Sequence, residues 1–577
     1  MHSTSELLAD IAILRRSLDR IQQRLMSSSH ANGEAIYACK LPTADQRQCG
    51  APGTQGQCDF EGLYSGSASL AAFLNASALP EKSGIPGAVF SSILYSSSKT
   101  AWSNVLYDED LLASLHSFQR IDYILAYYFE YCNWVYQPID EAVFLAAWGR
   151  FKSGYCSDRI ALATICGLAA NALIYMPPEN ALLLGISESC IELGHHYFTI
   201  METALTRHRE SVSRVQTYSL ELIEVLLARH HYLAVRMASV EELARTTGEL
   251  VTIATALGLH RDPEENQLGH GDAQRRRRAW WNLMILDQWQ ALLFGLPPHI
   301  ASHHFDTRLP TLNTSENDQS WQDQSPEMTL FRLSHVLDDV MDAVLSTRRI
   351  PYSAVQERDK RLTDWYASVP QDICFDQKSL QEGLCSPSVP TRRAAVQGVV
   401  TRSLYLNVRL TLHRAYVAVP TSLEIAAITA LELIDLISQP DVSALFSNHL
   451  HWGIMQIYLV AAFCSIQLTI NPMQPESGLF RRGLDKAMRM LEQRQTEAVA
   501  QKALAILRAL APLCSVDRPV DSPEKNARTK AEVWEAVQRL IFPRHRDMDP
   551  VLRDEPDSWS ASLVFGLGEL VQFFEFQ

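Results

Sequence analysis

The sequence predicts an all-α protein built as a large helical bundle or superhelix. From about residue 60 onward, apolar residues recur at helical spacing, whereas the alternation typical of strands is scarce. No glycine-rich strand–turn–helix unit is present. Hydrophobic residues make up 47% of the chain and charged residues 20%, a composition that can bury a large core.

The first predicted element is a short coiled-coil-like helix within residues 1–26. Its apolar residues are spaced 4, 3, 4, 3 and 4 positions apart, which is the a/d pattern of a heptad repeat. These residues are Leu7, Ile11, Leu14, Leu18, Ile21 and Leu25. Because three heptads are short for an autonomous coiled coil, two interpretations stay open. The helix either dimerises the chain or packs on its own domain.

Three further segments follow the heptad helix. Residues 27–59 are rich in Ser, Gly, Gln, Thr and Pro and predict a flexible linker. Residues 60–515 carry the helical periodicity, interrupted by polar breaks. Residues 516–577 begin with a polar break and end in a tail that mixes acidic and aromatic residues.

Charge and hydropathy exclude several functional classes. The net charge of −14 opposes binding to a phosphate backbone, so a DNA contact would need a local basic module. The N-terminus lacks the apolar core of a signal peptide. Two apolar stretches, residues 160–176 and 454–470, are shorter than a usual membrane span and contain polar residues, which favours buried helices. We therefore expect a soluble intracellular protein without membrane contact.

No catalytic, metal or cofactor site is predicted. The eleven cysteines include no C-x-x-C pair, and the loose trio Cys39, Cys49 and Cys58 is weak evidence for a metal. H-E-x-x-H, Walker A, G-x-G-x-x-G and G-x-S-x-G motifs are absent from the sequence. Histidine doublets occur at 195–196, 230–231 and 303–304, but adjacent helical residues point about 100° apart and rarely bind one ion together.

The stretch RRRRAWWNLMILDQW, residues 275–289, raises the question of a nucleic-acid-binding patch. Four consecutive arginines cannot share one helix face. Arg277, Trp281, Met284 and Gln288 follow the spacing of a single stripe, which is mostly apolar. We therefore predict a core helix in which Arg277 needs an acidic partner and the other three arginines fan out toward solvent.

Several segments, in order, resemble the fungal-specific transcription factor domain, the middle homology region of fungal binuclear zinc-cluster regulators. Residues 125–151 resemble its opening helix, and residues 249–263 resemble a helix that leads into its most recognisable loop at 257–262. Residues 275–300 resemble its arginine-rich, double-tryptophan helix. The matching residues are Phe144, Trp148, Gly258, Leu259, His260, Arg261, Asp262, Arg277, Trp280, Trp281, Asp287, Gly295 and Pro297. Among them, Gly258 suits a left-handed cap that ends a helix.

The resemblance covers about residues 60–515 and implies a helical regulatory domain, a nuclear location and a role in transcriptional control. It implies a homodimer, or a heterodimer with a DNA-binding regulator, and leaves room for a small-molecule effector. Gln288 and Leu296 stand where the family usually has arginine, which puts a salt-bridge network of those arginines in doubt.

DNA-binding members of the family also carry a six-cysteine zinc cluster, which this chain lacks. Two explanations stay open. The protein reaches DNA through a partner, or the cluster belongs to sequence upstream of this chain. The alternative function is a helical scaffold or small-molecule-binding protein derived from such regulators.

The C-terminal tail allows two interpretations. Acidic residues lie among Trp559, Phe565, Phe573, Phe574 and Phe576, as in amphipathic activation segments. Residues 562–576 are also apolar enough to form a terminal helix docked on the bundle.

Overall fold

The computed structural model describes most of the chain between residues 108 and 514, together with residues 57–58 and 64–65. The gaps within the larger range are 134–137, 155–157, 178–179, 181–188, 212–217, 237–239, 264–268, 312–325, 346–349, 371–372, 374–376, 443–452 and 496–497. By its contacts the chain divides into two units, Met1–Gln55 with Ser67–Glu81, and Gly56–Gly66 with Lys82–Gln577. All elements below belong to the second unit.

Helices account for nearly all of the described structure, so the all-α prediction is confirmed. They are α1 Glu109–Ala113, α2 Phe118–Tyr131, α3 Glu141–Lys152, α4 Arg159–Tyr175, α5 Cys190–Ser211, α6 Leu220–Val235, α7 Val240–Ala256, α8 His270–Phe294, α9 Pro326–Leu345, α10 Tyr352–Ala367, α11 Gln377–Leu384, α12 Val389–Arg414, α13 Pro420–Ile437, α14 Gly453–Ile470, α15 Ser477–Glu492 and α16 Ala498–Cys514. A 3₁₀ turn covers Ser302–His304. In the described residues the only strands are β1 Gln57–Cys58 and β2 Tyr64–Ser65, which pair antiparallel.

Short polar side chains begin several of these helices. Ser117, Asp140, Asp158 and Ser219 each accept a hydrogen bond from the backbone N–H three residues on. Such caps satisfy one of the amide groups that have no partner inside the first turn. The boundaries of α2, α3, α4 and α6 therefore follow from local sequence.

Two hydrophobic cores organise the fold. The N-terminal core runs from Leu111 to Phe331 and centres on α4, which packs against α2, α5 and α6. The C-terminal core runs from Ala291 to Cys514 and includes α12 to α16. Both α8 and α9 contribute side chains to both cores, so these two helices join the halves.

The two long apolar stretches form α4 and α14, both mostly buried, as predicted. By length and composition alone, Gly453–Ile470 could cross a membrane, but 78% of that window is buried inside the fold. A core helix of this kind needs no bilayer to cover its apolar surface.

Candidate functional site

The matched motifs meet around the N-terminal half of α8, in what we call the α8 junction: α8, the loop 257–262 and the segment 299–308. Arg277 lies at its centre and is only 2% exposed. Its guanidinium donates to the carboxylate of Asp262 at 2.7 Å, and that carboxylate is 4% exposed. The acidic partner predicted for Arg277 is therefore confirmed.

Arg275 shows that the neighbouring arginines do not reach toward solvent, contrary to the prediction. It binds Glu224 of α6 at 2.6 Å and Glu221 of the same helix at 2.9 Å. Its side chain is largely buried where α8 packs against α6, and the two carboxylates of α6 lie beside it. Burial raises the pKa of Glu224, and the Arg275 guanidinium opposes that shift.

Arg276 and Arg278 also bind other elements. Arg276 donates to the backbone carbonyl of Leu257 at the end of α7. Arg278 donates to Glu327 of α9 at 3.1 Å and lies 3.9 Å from Asp140, the cap of α3. The prediction of a solvent-facing fan was wrong because helix geometry gives directions only, not what neighbouring helices place there.

The loop after α7 has the cap predicted from its glycine. Gly258 adopts φ +70°, in the left-handed region that glycine enters without strain. The Gly258 N–H donates to Thr255, and the Leu259 N–H donates to Ala254. These bonds satisfy carbonyls at the end of α7 and turn the chain toward α8.

Two aspartates tie this loop to the segment 299–308. Asp262 accepts from Arg277 and also from the Arg308 backbone N–H at 2.9 Å. Asp306 accepts from the Asp262 backbone N–H at 2.9 Å and pairs with Arg261 at 2.9 Å. These bonds hold the loop 257–262 and the segment 299–308 against each other.

Aromatic side chains cover the ion pair. Trp280 and Trp281 are nearly fully buried, and both contact the ring of Phe305. Trp281 donates its indole N–H to the Arg308 carbonyl at 2.9 Å. His260 packs beside Trp280, and burial lowers the pKa of His260 to about 4. The surroundings of Arg277 and Trp281 are therefore largely shielded from water, so these two polar side chains need protein partners.

The end of α8 uses a third aspartate. Asp287 accepts from the backbone N–H groups of His299 and Ile300, at 3.1 and 2.9 Å, and from the His299 ring at 2.8 Å. This hydrogen bond raises the pKa of His299. Gly295, at φ +65°, ends the helix, and the exposed Pro297 lies in the turn that returns to Asp287.

Gln288 is the departure that the structure explains least. It is fully buried, and its amide nitrogen and oxygen have no hydrogen-bond partner among the described residues. Leu296 is half-buried in the turn that follows α8. The ion pairs of α8 itself are made instead by the arginines at 275, 277 and 278.

Phe144 and Trp148 lie on α3 and contact α2, so these two motif residues are not part of the α8 junction. Phe144 contacts Phe129 at 5.4 Å between ring centroids, and Trp148 contacts Phe118 at 5.4 Å. Trp148 also donates its indole N–H to Asp122. These residues fix α3 on α2.

Sequence reasoning missed a buried hydrogen-bond chain between α6, α7 and α8. His230 contacts Thr246 at 2.9 Å and Gln290 at 3.2 Å, and Gln290 accepts from Thr247 at 2.7 Å. Burial lowers the pKa of His230 to about 3, so the ring is neutral. The available signal in the sequence was Gln290, a polar side chain within the apolar part of α8 that would need a buried partner.

The second histidine of that doublet, His231, contacts Tyr175 at 2.8 Å. The two rings therefore address different partners, as predicted from their angular separation. In the part of the chain that the structure describes, no group of three or more His, Cys, Asp or Glu residues could hold a metal ion. The arginines and aspartates of the α8 junction bind groups on neighbouring elements, which suits holding helices together.

The heptad residues Leu7 to Leu25 and the tail residues Trp559 to Phe576 lie outside the described residues. The predictions made for them stay predictions.

Comparison with known proteins gives the same assignment as the motifs. Residues 125–367 match the model of the fungal specific transcription factor domain. The equisetin cluster transcription factor eqxF of Fusarium heterosporum is 26% identical over 207 residues, covering 33% of this chain and 29% of that protein. The transcriptional activator protein acu-15 of Neurospora crassa is 23% identical over 169 residues, covering 27% of this chain and 18% of that protein.

Among solved structures, the K. lactis CBF3 core matches with a TM-score of 0.47 and 14% identity, covering 74% of this chain and 88% of that chain. The matched part of the chain spans less than a third of the length of the curated relatives. The matched range begins within α2 and ends at the last residue of α10, so it includes the whole α8 junction. Residues 125–367, and with them the whole α8 junction, are therefore similar to the fungal specific transcription factor domain.

Proposed function

We propose that this chain is a fungal transcriptional regulator that works through regulatory contacts of its helical domain. The observation that carries the proposal is the domain at residues 125–367, together with relatives that are themselves named transcription factors. Those names also argue against an enzyme. A nuclear location follows as part of the same proposal.

The architecture suits a domain that transmits a binding event. Both α8 and α9 contribute to the N-terminal and the C-terminal core. A partner or a small-molecule effector that shifts one of these helices would therefore alter the packing of both halves, since packed cores respond in discrete steps.

The heptad seam Leu7–Leu25 would mediate a homodimer, or a heterodimer with a DNA-binding regulator. DNA would be reached through that partner or through a zinc cluster outside this chain. In the tail, the aromatic residues from Trp559 to Phe576 would contact the transcription machinery.

A tethering experiment tests the proposal. The chain is fused to an unrelated DNA-binding module in a fungal cell, and transcription of a reporter carrying that module's site is measured. We expect activation or repression of at least several-fold relative to the module alone, and nuclear accumulation of the unfused chain. A folded chain that stays outside the nucleus and leaves the reporter unchanged would favour a scaffold or ligand-binding protein.

A further inference from the structure

The N-terminal and C-terminal halves also meet through the ends of two helices other than α8 and α9. The guanidinium of Arg393, near the start of α12, donates to the backbone carbonyl of Glu130, in the last turn of α2. These two residues are 263 positions apart in the sequence. Because α2 packs in the N-terminal core and α12 in the C-terminal core, the bond joins the two halves directly. We call the region of Glu130, Tyr131, Arg392 and Arg393 the α2–α12 clasp.

The two helix ends that meet at the clasp carry opposite charge. Carbonyl groups in the last turn of a helix, and amide groups in the first turn, lack partners inside the helix, so the C-terminal end is partly negative and the N-terminal end partly positive. Helix α2 adds the Glu130 carboxylate to its end. Helix α12 has no acidic residue in its first turn and adds Arg392 and Arg393. The contact is therefore electrostatically attractive along its whole width.

Tyr131 shows that both arginines lie close to the end of α2. Burial raises the pKa of this hydroxyl, its hydrogen bond with Glu130 adds to that rise, and the positive charges of Arg392 and Arg393 oppose it. Arg392 is also held on its own side, because its guanidinium donates to the Ser386 carbonyl at 2.6 Å. The α12 side of the clasp is thus a positioned cationic end rather than one mobile side chain.

Exposure separates the clasp from the contact of α8 with α9. Glu130 is exposed and Tyr131 is 41% exposed, whereas the ion pair of Arg278 with Glu327, which joins α8 to α9, is mostly buried. Salt screens exposed charges far more than buried ones, so the clasp should open more readily than the contact of α8 with α9. We propose that the α2–α12 clasp closes the N-terminal half onto the C-terminal half, and that its opening lets the halves move about α8 and α9. This motion does not require the regulatory role proposed above.

Small-angle X-ray scattering of the full chain tests the clasp. Arg393→Glu places a carboxylate beside the Glu130 carbonyl and should raise the radius of gyration by at least about 1 Å, against about 25 Å for a compact chain of this length. Arg393→Lys keeps a cationic N–H donor and should stay as compact as the wild type. The matched control is Arg508→Glu, because Arg508 pairs with Glu492 at 3.1 Å within the C-terminal half. This control should leave the radius of gyration unchanged.

A salt series tests the same contact without any substitution. Raising the salt from about 0.05 M to about 0.5 M shortens the range of charge attraction roughly threefold. The wild type and Arg508→Glu should both expand over this range, whereas Arg393→Glu, whose clasp is already open, should change little. A wild-type radius of gyration that stays constant would overturn the proposal. An equal rise in Arg393→Glu would also overturn it, because the expansion would then arise elsewhere in the chain.

Hydrogen exchange distinguishes a clasp between the halves from a local cap on α2. If Arg393 only caps that helix, Arg393→Glu would speed amide exchange at Tyr131 and Cys132 without enlarging the chain, and the proposal would be wrong. Faster exchange together with a larger radius of gyration supports it. A loss of helical circular dichroism in Arg393→Glu would indicate unfolding instead of opening, and the wild-type salt series would then decide. None of these readouts depends on transcription, so a failed clasp would leave the reporter experiment unaffected.

Discussion

Helices α8 and α14 are both long and largely buried, yet different forces hold them. Each of the four arginines of α8 binds a group on another element, including Glu224 on α6, Glu327 on α9 and the loop carboxylate of Asp262. Helix α14 contains no Asp, Glu, Lys or Arg. Ion pairs add to apolar burial in the first helix, whereas the second contains no charged side chain to make them.

The polar residues of α14 make the contrast sharper. The side-chain amide of Gln456 and the hydroxyls of Tyr458 and Ser465 are buried without hydrogen-bond partners among the described residues. Apolar burial is non-directional, whereas an ion pair fixes distance and orientation. We infer that the α8 junction specifies geometry and that α14 mainly supplies buried area.

The largest expected effect comes from breaking the central ion pair. Asp262→Asn leaves the Arg277 guanidinium buried without a full counter-charge, so the free energy of unfolding should fall by about 3–5 kcal/mol. Urea unfolding followed by circular dichroism measures this. The control is Asp342→Asn, whose exposed carboxylate lies 3.9 Å from Arg358 and should contribute less than about 1 kcal/mol. Equal losses in the two variants would show that the junction is not special.

The second prediction concerns pH at the contact between α8 and α9. Burial raises the pKa of Glu327 to about 7, with the Arg278 guanidinium opposing the shift. A carboxyl whose folded-state pKa lies above its unfolded value destabilises the fold as it ionises, so its contribution falls as pH rises from about 4.5 to 7. Glu327→Gln cannot ionise and should lose less stability over that range.

Unfolding free energies of wild type and Glu327→Gln at pH 5 and pH 8 check this sign. The difference between the two proteins should move in favour of the variant at pH 8. A difference that is the same at both pH values would mean that Glu327 ionises as freely in the fold as in the unfolded chain.

Sequence reasoning succeeded where the signal was local. The apolar spacing predicted α8, the glycine at position 258 predicted a left-handed cap, and the burial of Arg277 predicted an acidic partner. It failed where partners are distant in sequence. Glu224 and Glu327 lie about fifty residues from the arginines they bind, so no helical periodicity could reveal that Arg275 and Arg278 are paired.

A matched pair of glutamines tests the difference between α8 and α14 directly. Gln290→Leu on α8 leaves Thr247 and His230 each short of a partner and should lower the free energy of unfolding by about 1–3 kcal/mol. Gln456→Leu on α14 removes an amide with no partner in the described residues and should raise it by about 1 kcal/mol. Chemical denaturation of both variants measures the two signs. If Gln456→Leu were as destabilising as Gln290→Leu, the α14 amide would have a partner after all.

The smallest expected effect concerns the turn that delivers the chain into the α8 junction. Gly258 has φ +70°, where an L-residue with a Cβ is strained, so Gly258→Ala should lower stability by about 1–2 kcal/mol. Gly149→Ala is the matched control, because that glycine lies within helix α3 with open space around it and should raise stability by about 0.5–1 kcal/mol. Melting temperatures of the two variants should therefore move in opposite directions. If Gly258→Ala were instead more stable than the wild type, the loop 257–262 would be able to leave the left-handed conformation at little cost. The position of Asp262 would then have to be fixed by contacts other than this turn.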